Sequence, residues 1–153
     1  MKVLIVEDEE TKRLRLQQFL EECLPDAVLE SARSLRSGLR ALQESAFNLV
    51  ILDMTLPNFD AGPDESGGQT YPLGGREFLE QMSRLDIAAP VIVVTQFETF
   101  GKGSDQMNLN TLREELADEY GDLYRGAVYY NAAIHGWKTD LKKLIDIVVA
   151  KSE

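Results

Sequence analysis

Apolar runs and amphipathic stripes alternate along this chain, and their order predicts most of its elements. Val3-Leu4-Ile5-Val6, Leu49-Val50-Ile51-Leu52 and Val91-Ile92-Val93-Val94 are short, continuous and rich in β-branched residues, the pattern of strands buried on both faces. Val28-Leu29 and the stretch from Ala127 to Tyr130 read as two further short strands. Helical spacing lies between them. A first helix from about Glu10 to Cys23 aligns Leu16, Phe19, Leu20 and Cys23, and a second, opened by Ser34 as N-cap, aligns Leu35, Leu39 and Leu42. A third carries Phe78, Leu79, Met82 and Leu85, a fourth Leu109, Leu112 and Leu116, and a fifth Leu141, Leu144, Ile145 and Val148. Five strands alternating with five helices predict an α/β fold: a flavodoxin-like, doubly wound, five-stranded parallel sheet in strand order 2-1-3-4-5. Residues 58–75 and 96–108 are longer connections than this fold usually needs. Without a repeat or a linker, residues 1–153 are expected to form one domain.

In such sheets ligands bind beyond the carboxyl ends of the strands. Here two runs end there in acid: Val6 is followed by Glu7-Asp8, and Leu52 by Asp53. Three carboxylates at one edge repel unless a cation sits among them, and an all-oxygen site suits Mg²⁺. An Asp after a strand also commonly caps the following loop. That explains Asp53 alone but not the second acidic cluster beside it.

Glu7-Asp8-Glu9 resembles the acid pair of a response regulator receiver domain. Asp53-Met54-Thr55-Leu56-Pro57 is similar to that family's phosphoacceptor segment, and Ala89-Pro90-Val91-Ile92-Val93-Val94-Thr95 to its fourth strand with the terminal hydroxyl. Each motif is short; the three in order, each at the end of a predicted strand, are specific together. The resemblance implies a phosphorelay receiver, not an enzyme with its own substrate. Asp53 would be phosphorylated from a sensor histidine kinase or phosphotransfer protein. Mg²⁺ would be held by Asp8, by Asp53, by the Met54 backbone carbonyl and, through water, by Glu7. Thr95 would hydrogen-bond a phosphoryl oxygen, and Tyr130, or Tyr129 beside it, would be the aromatic that swings inward. The same Thr and Tyr also suit plain strand positions, where β-branched and aromatic residues are frequent. Glu9 and Glu10 read as acids favouring a helix N-terminus.

One departure stands out. Receivers place a Lys at the end of the fifth strand, and here Asn131 or Ala133 takes that place, with no Lys after it before Lys138. Losing that cation removes a charge-assisted hydrogen bond worth about 1.5–3 kcal/mol. A weakened switch is expected, with His135 and Lys138 as replacement candidates. The same departure favours a second function, a pseudo-receiver that binds partners without phosphorylation. A third, a Mg²⁺-dependent phosphohydrolase, lacks the second acid expected two residues after the nucleophile, where Thr55 stands.

Composition narrows the partners. A net charge of -10 over 153 residues argues against nucleic-acid binding. No apolar stretch reaches a membrane span, and Met1-Lys2 leads directly into a strand, so a cytoplasmic location is expected. Cys23, the single cysteine, excludes an internal disulfide and reads as a small core residue. Asp60, Asp64 and Glu65 could extend the acidic pocket, although a solvated loop is the plainer reading. Gly101-Lys102-Gly103-Ser104 lacks the glycine spacing of a phosphate loop. Output is expected through an unidentified protein target, with a homodimer left open, since no output domain follows residue 150 unless the chain is excised from a longer protein.

Overall fold

The computed structural model describes residues 1–60, 70–96, 99–100 and 107–152. Strands β1 (Lys2–Val6), β2 (Val28–Ala32), β3 (Leu49–Leu52), β6 (Val91–Thr95) and β9 (Tyr124–Tyr129) form one parallel sheet in the order β2-β1-β3-β6-β9. Helices α1 (Glu10–Cys23), α2 (Leu35–Glu44), α3 (Gly74–Arg84), α4 (Leu109–Glu119) and α5 (Gly136–Ser152) connect and cover them. This is the flavodoxin-like order expected from the sequence, counting the five main strands alone.

Period-two alternation sorts the strand residues onto two faces. Val3, Ile5, Leu49, Ile51, Ile92 and Val94 pack with Leu16, Phe19 and Leu20 of α1 and Leu141, Ile145 and Val148 of α5. Leu4, Val6, Val50, Leu52, Val91 and Val93 pack with Leu42 of α2, Phe78, Leu79 and Met82 of α3, and Leu112 and Leu116 of α4. Both faces being covered is why these strands read as unbroken apolar runs.

Register brings the strand ends level. Val6 pairs with Leu52, Leu52 with Val93, and Thr95 with Tyr129. Two ladder-like bonds extend the pairing, from the Glu7 amide to the Ala32 carbonyl and from the Asp53 amide to the Val6 carbonyl, each 3.0 Å. Glu7 and Asp53 therefore leave neighbouring strands at the same edge.

Ser34 caps α2 as expected, within a capping box: its hydroxyl accepts from the Ser37 amide (3.1 Å) while the Ser37 hydroxyl accepts from the Ser34 amide (3.1 Å). Several boundaries differ from the sequence reading. β2 runs on to Ala32, and β9 starts at Tyr124 and ends at Tyr129. Leu85 lies just past α3 and is 45% exposed, because the helix ends before its stripe returns to the core. Leu144 is half-buried, packed at the margin of its core. Each long connection carries a two-residue antiparallel ribbon: β4 (Leu56–Pro57) with β5 (Thr70–Tyr71), and β7 (Thr99–Phe100) with β8 (Met107–Asn108). Asp60 accepts a hydrogen bond from the Ser37 hydroxyl at 2.8 Å, which ties its loop to α2. Asp64, Glu65 and Gly101-Lys102-Gly103-Ser104 lie outside the described residues. Cys23 is half-buried against the α1–α5 core, and burial pushes its thiol pKa up, which suits a packing role.

Helix α3 starts hard against the end of β3. The Gly75 amide donates to the Met54 carbonyl at 2.8 Å, and a Cβ at Gly75 would stand 2.6 Å from the Asp53 carbonyl oxygen. Backbone cannot yield as a flexible side chain can. Gly75→Ala should therefore destabilise the protein by about 1–3 kcal/mol, the usual cost of overpacking. Gly136→Ala, whose nearest neighbour would be 3.9 Å from the new Cβ, should stay within about 0.5 kcal/mol. Urea unfolding of both variants makes the comparison, and equal losses would refute the close-approach argument.

Candidate phosphoacceptor site

Among the described residues, five polar side chains are buried: Glu7, Lys12, Ser34, Asp53 and Thr95. Ser34 is accounted for by its cap. The other four come from the carboxyl edge of the sheet and the first turn of α1. Glu7 follows β1, Asp53 follows β3, and Thr95 ends β6.

Lys12 is the residue that the sequence reading missed. It is 1% exposed, and its Nζ lies 2.5 Å from Glu7 Oε1 and 3.2 Å from Asp53 Oδ1. The same nitrogen donates a 2.7 Å hydrogen bond to the Val94 carbonyl. Its position follows from helix geometry. Lys12 stands on the stripe of Leu16, Phe19 and Leu20, so its stem packs into the core. Side chains on a helix lean toward its N-terminus, and the N-terminus of α1 lies at the carboxyl edge of the sheet. A long amine there points back at the acids. The signal was present in the sequence: a Lys one turn before Leu16, on the apolar face, five residues after Glu7.

The fifth-strand end holds no substitute for it in the described contacts. Asn131 is half-buried, and its Oδ1 accepts from the Ala133 amide at 3.0 Å. Ala133 and His135 are exposed, and the Lys138 ammonium sits 5.7 Å from the Trp137 ring centroid. The expectation that the site has no cation of its own is thus corrected: Lys12 of α1 supplies one.

Two buried carboxylates share a single ammonium, and the electrostatics reflect it. Burial first, then the Asp53 charge, push the Glu7 carboxyl up to about 8, against the pull of Lys12. Burial pulls the Lys12 ammonium down, but Asp53 and Glu7 outweigh it and its pKa rises. Lys12 therefore stays charged. The ion pairs are close but not directional. Lys12 gives its well-formed hydrogen bond to Val94, leaving Glu7 Oε1 and Asp53 Oδ1 buried without a hydrogen-bond donor.

Glu7, Asp53 and the half-buried Asp8 set three carboxyl groups at this edge against one ammonium, and an all-oxygen set of this kind suits a hard divalent cation. The remaining expected ligands are more spread. Asp8 is half-buried, and among the described residues no three acidic, His or Cys side chains converge on one metal position. The Met54 side chain is buried, and its carbonyl already accepts the Gly75 amide. A cation here would keep several waters. Glu9 is exposed and caps α1 only through its backbone; its amide donates to Glu7 Oε2 at 3.3 Å, and Glu10 is the acid of the first turn. The Tyr130 amide donates to the Thr95 carbonyl at 2.7 Å. The Tyr130 ring is buried, 5.6 Å from Lys12 Nζ and 5.0 Å from the Trp137 ring centroid. Tyr129 is half-buried and packs toward the opposite core.

A parallel sheet in this order, with an acid after its central strand and a second acid beside it, is a flavodoxin-like fold with a carboxylate site at its carboxyl edge. The family model for the response regulator receiver domain matches residues 3–110, and the chain belongs to that family, which serves two-component signalling. It is 41% identical over 145 residues to an uncharacterized protein, y4jR, of Sinorhizobium fredii, covering 93% of this chain and 95% of that one. It is 33% identical over 147 residues to the Detocs response regulatory protein DtcB of Enterobacter cloacae, covering 95% and 98%. Among solved structures it resembles the response regulator TrrA of Thermotoga maritima, crystallised with Mg²⁺ and BeF. The TM-score is 0.58 at 18% identity, covering 94% of this chain and 97% of that one.

Removing charges from the site should give unequal results. Lys12→Met leaves two acids buried without a cation and should cost about 3–5 kcal/mol. Asp53→Asn leaves one matched Lys12–Glu7 pair and should be within about 1 kcal/mol of wild type or more stable. Chemical unfolding in the absence of divalent metal reads both. Similar losses would mean that packing, not charge, dominates at this site.

Proposed function

We propose that Asp53 accepts a phosphoryl group from a phosphohistidine of a sensor histidine kinase or phosphotransfer protein, in a Mg²⁺-dependent reaction. The carrying observation is the Asp53 carboxylate itself. It ends the central strand, is 7% exposed, and faces Glu7 across a buried ammonium. In the transfer, an Asp53 Oδ–P bond forms while the P–N bond to the donor imidazole breaks, and the electron pair leaves on that nitrogen. A Mg²⁺ ion supplies charge neutralisation for the incoming phosphoryl oxygens. Asp8 and Asp53 would hold it, with the second lone pair of the Met54 carbonyl, and Glu7 would act through water. Thr95 and Tyr130 carry the switch. One ends β6 beside the site and the other is bonded to it through the backbone, so a shift at Thr95 is felt at Tyr130.

Receiver domains are in general signalling modules, and residues 1–153 are proposed to work as one such unit with output through a protein partner. The 33%-identical relative is named a response regulatory protein, which supports this reading. No described helix is long and apolar enough to cross a membrane; a cytoplasmic location is part of the proposal. The pseudo-receiver alternative drew its support from the absent Lys and the two long loops, and the Lys12 ammonium beside Asp53 weighs against the first of these. The phosphohydrolase reading gains none, since Thr55 donates instead to the Pro72 carbonyl, at 3.5 Å.

Acetyl phosphate with Mg²⁺ should add one phosphate by intact-mass measurement, and Asp53→Asn or chelation should abolish it. A modified Asp53→Asn protein would move the acceptor elsewhere. Mg²⁺ alone at a hundredfold excess over Kd should stabilise the fold by about 2.7 kcal/mol. The shift should shrink in Asp8→Asn, and an undiminished shift in thermal melts would remove Asp8 from the site.

A further inference from the structure

The geometry points to Lys12, on the first turn of α1, as the cation that pairs with the phosphoryl oxygens on Asp53, in place of a lysine at the end of the fifth strand. This rests on the phosphoacceptor reading of Asp53 and goes beyond it. Three observations carry it. Lys12 is held at the reacting carboxylate, 3.2 Å from Asp53 Oδ1, and is buried to 1%. Its position is fixed by the 2.7 Å hydrogen bond to the Val94 carbonyl, next to Thr95. Its approach to Asp53 is not a directional hydrogen bond, so that N–H can be redirected without breaking one.

An ammonium has three N–H donors. One is committed to Val94, which leaves two for the carboxyl groups beside it and for a group added to Asp53. When Asp53 carries a phosphoryl group, one of these meets a phosphoryl oxygen in place of Oδ1. The contact then has a structural consequence that a strand-end lysine would not give. Lys12 bridges the phosphate to the β6 carbonyl preceding Thr95 and lies over the Tyr130 ring, 5.6 Å from its centroid. Phosphate, switch hydroxyl strand and switch aromatic are thus joined through one nitrogen. Asn131, Ala133, His135 and Lys138 have no part in it.

The test compares wild type, Lys12→Met, Lys12→Arg and the relocation variants Lys12→Met/Asn131→Lys and Lys12→Met/Ala133→Lys. Each is first checked for fold and for Mg²⁺ binding. Phosphorylation by acetyl phosphate is followed by intact mass, and beryllofluoride-induced shifts at Thr95 and Tyr130 by NMR. Lys12→Met should phosphorylate about ten- to a hundredfold more slowly, the loss of one charge-assisted hydrogen bond. It should also lose the beryllofluoride response while still binding Mg²⁺. At least one relocation variant should regain part of both. Wild type should show the Lys12 Nζ resonance moving on beryllofluoride addition. If Lys12→Met does not fold, Lys12→Arg and the Nζ resonance of wild type decide: an unmoved resonance together with an unchanged Lys12→Arg response overturns the assignment. A folded Lys12→Met with wild-type rate and response makes Lys12 a structural ion pair and overturns it as well. Wild type that takes neither phosphate nor beryllofluoride overturns the phosphoacceptor reading itself, and this assignment with it.

Discussion

A single ammonium, the Nζ of Lys12, lets this chain keep two carboxylates inside its sheet edge. Burying an unpaired carboxylate costs several kcal/mol, and two placed side by side cost more because each raises the energy of the other. The parallel topology leaves little freedom to avoid the clash. Strands that end level bring Glu7 and Asp53 to one edge, and the ladder bonds to Ala32 and Val6 fix them there. The remedy must come from an element whose start lies at that edge, and α1 is such an element. Because side chains lean toward a helix N-terminus, a lysine in its first turn delivers charge where the acids need it.

Much of this was legible in the sequence because it follows from repeating physics. Buried parallel strands make unbroken apolar runs, and the first polar residue marks their ends, so the pattern alone sets Glu7, Asp8, Asp53 and Thr95 at strand ends. The order of the five main strands and the Ser34 cap were legible for similar reasons. What stayed hidden has physical causes too. Two-residue ribbons such as β4–β5 have no period to detect. β9 begins with Tyr124-Arg125-Gly126, where polarity and a glycine at φ +137° conceal a strand. Lys12 was hidden because a lysine early in a helix is read as solvent-facing. Its stripe position was the clue, and it gains meaning only once the neighbouring acids are known to be unmatched.

Family pattern and physical requirement also part company here. The pattern asks for a lysine at a place in the chain, whereas the chemistry asks for positive charge at a place in space. Asn131 and Ala133 fail the first test, yet Lys12, far away in sequence, meets the second. A departure from a motif therefore counts against function only after the space around the acceptor has been searched for a replacement.

With Lys12 as the proposed phosphoryl partner, the switch would be wired differently. A cation anchored on the fifth strand would report the phosphate to that strand's own backbone. Lys12 instead belongs to α1, packed with α5 on one face of the sheet, and its hydrogen bond reaches across to the Val94 carbonyl of β6. Tyr130 lies against it and against Trp137 of α5. The charge state of Asp53 is thereby linked to the α1–α5 face as well as to the β6 end. The opposite face is tied differently: Arg76 of α3 holds Glu115 and Glu119 of α4, and the Tyr120 hydroxyl donates to Glu80 at 2.7 Å. Those bonds join α3 to α4. A phosphoryl group at Asp53 would meet α3 through the Met54–Gly75 bond and α1 through Lys12, so both faces of the sheet are connected to one carboxylate.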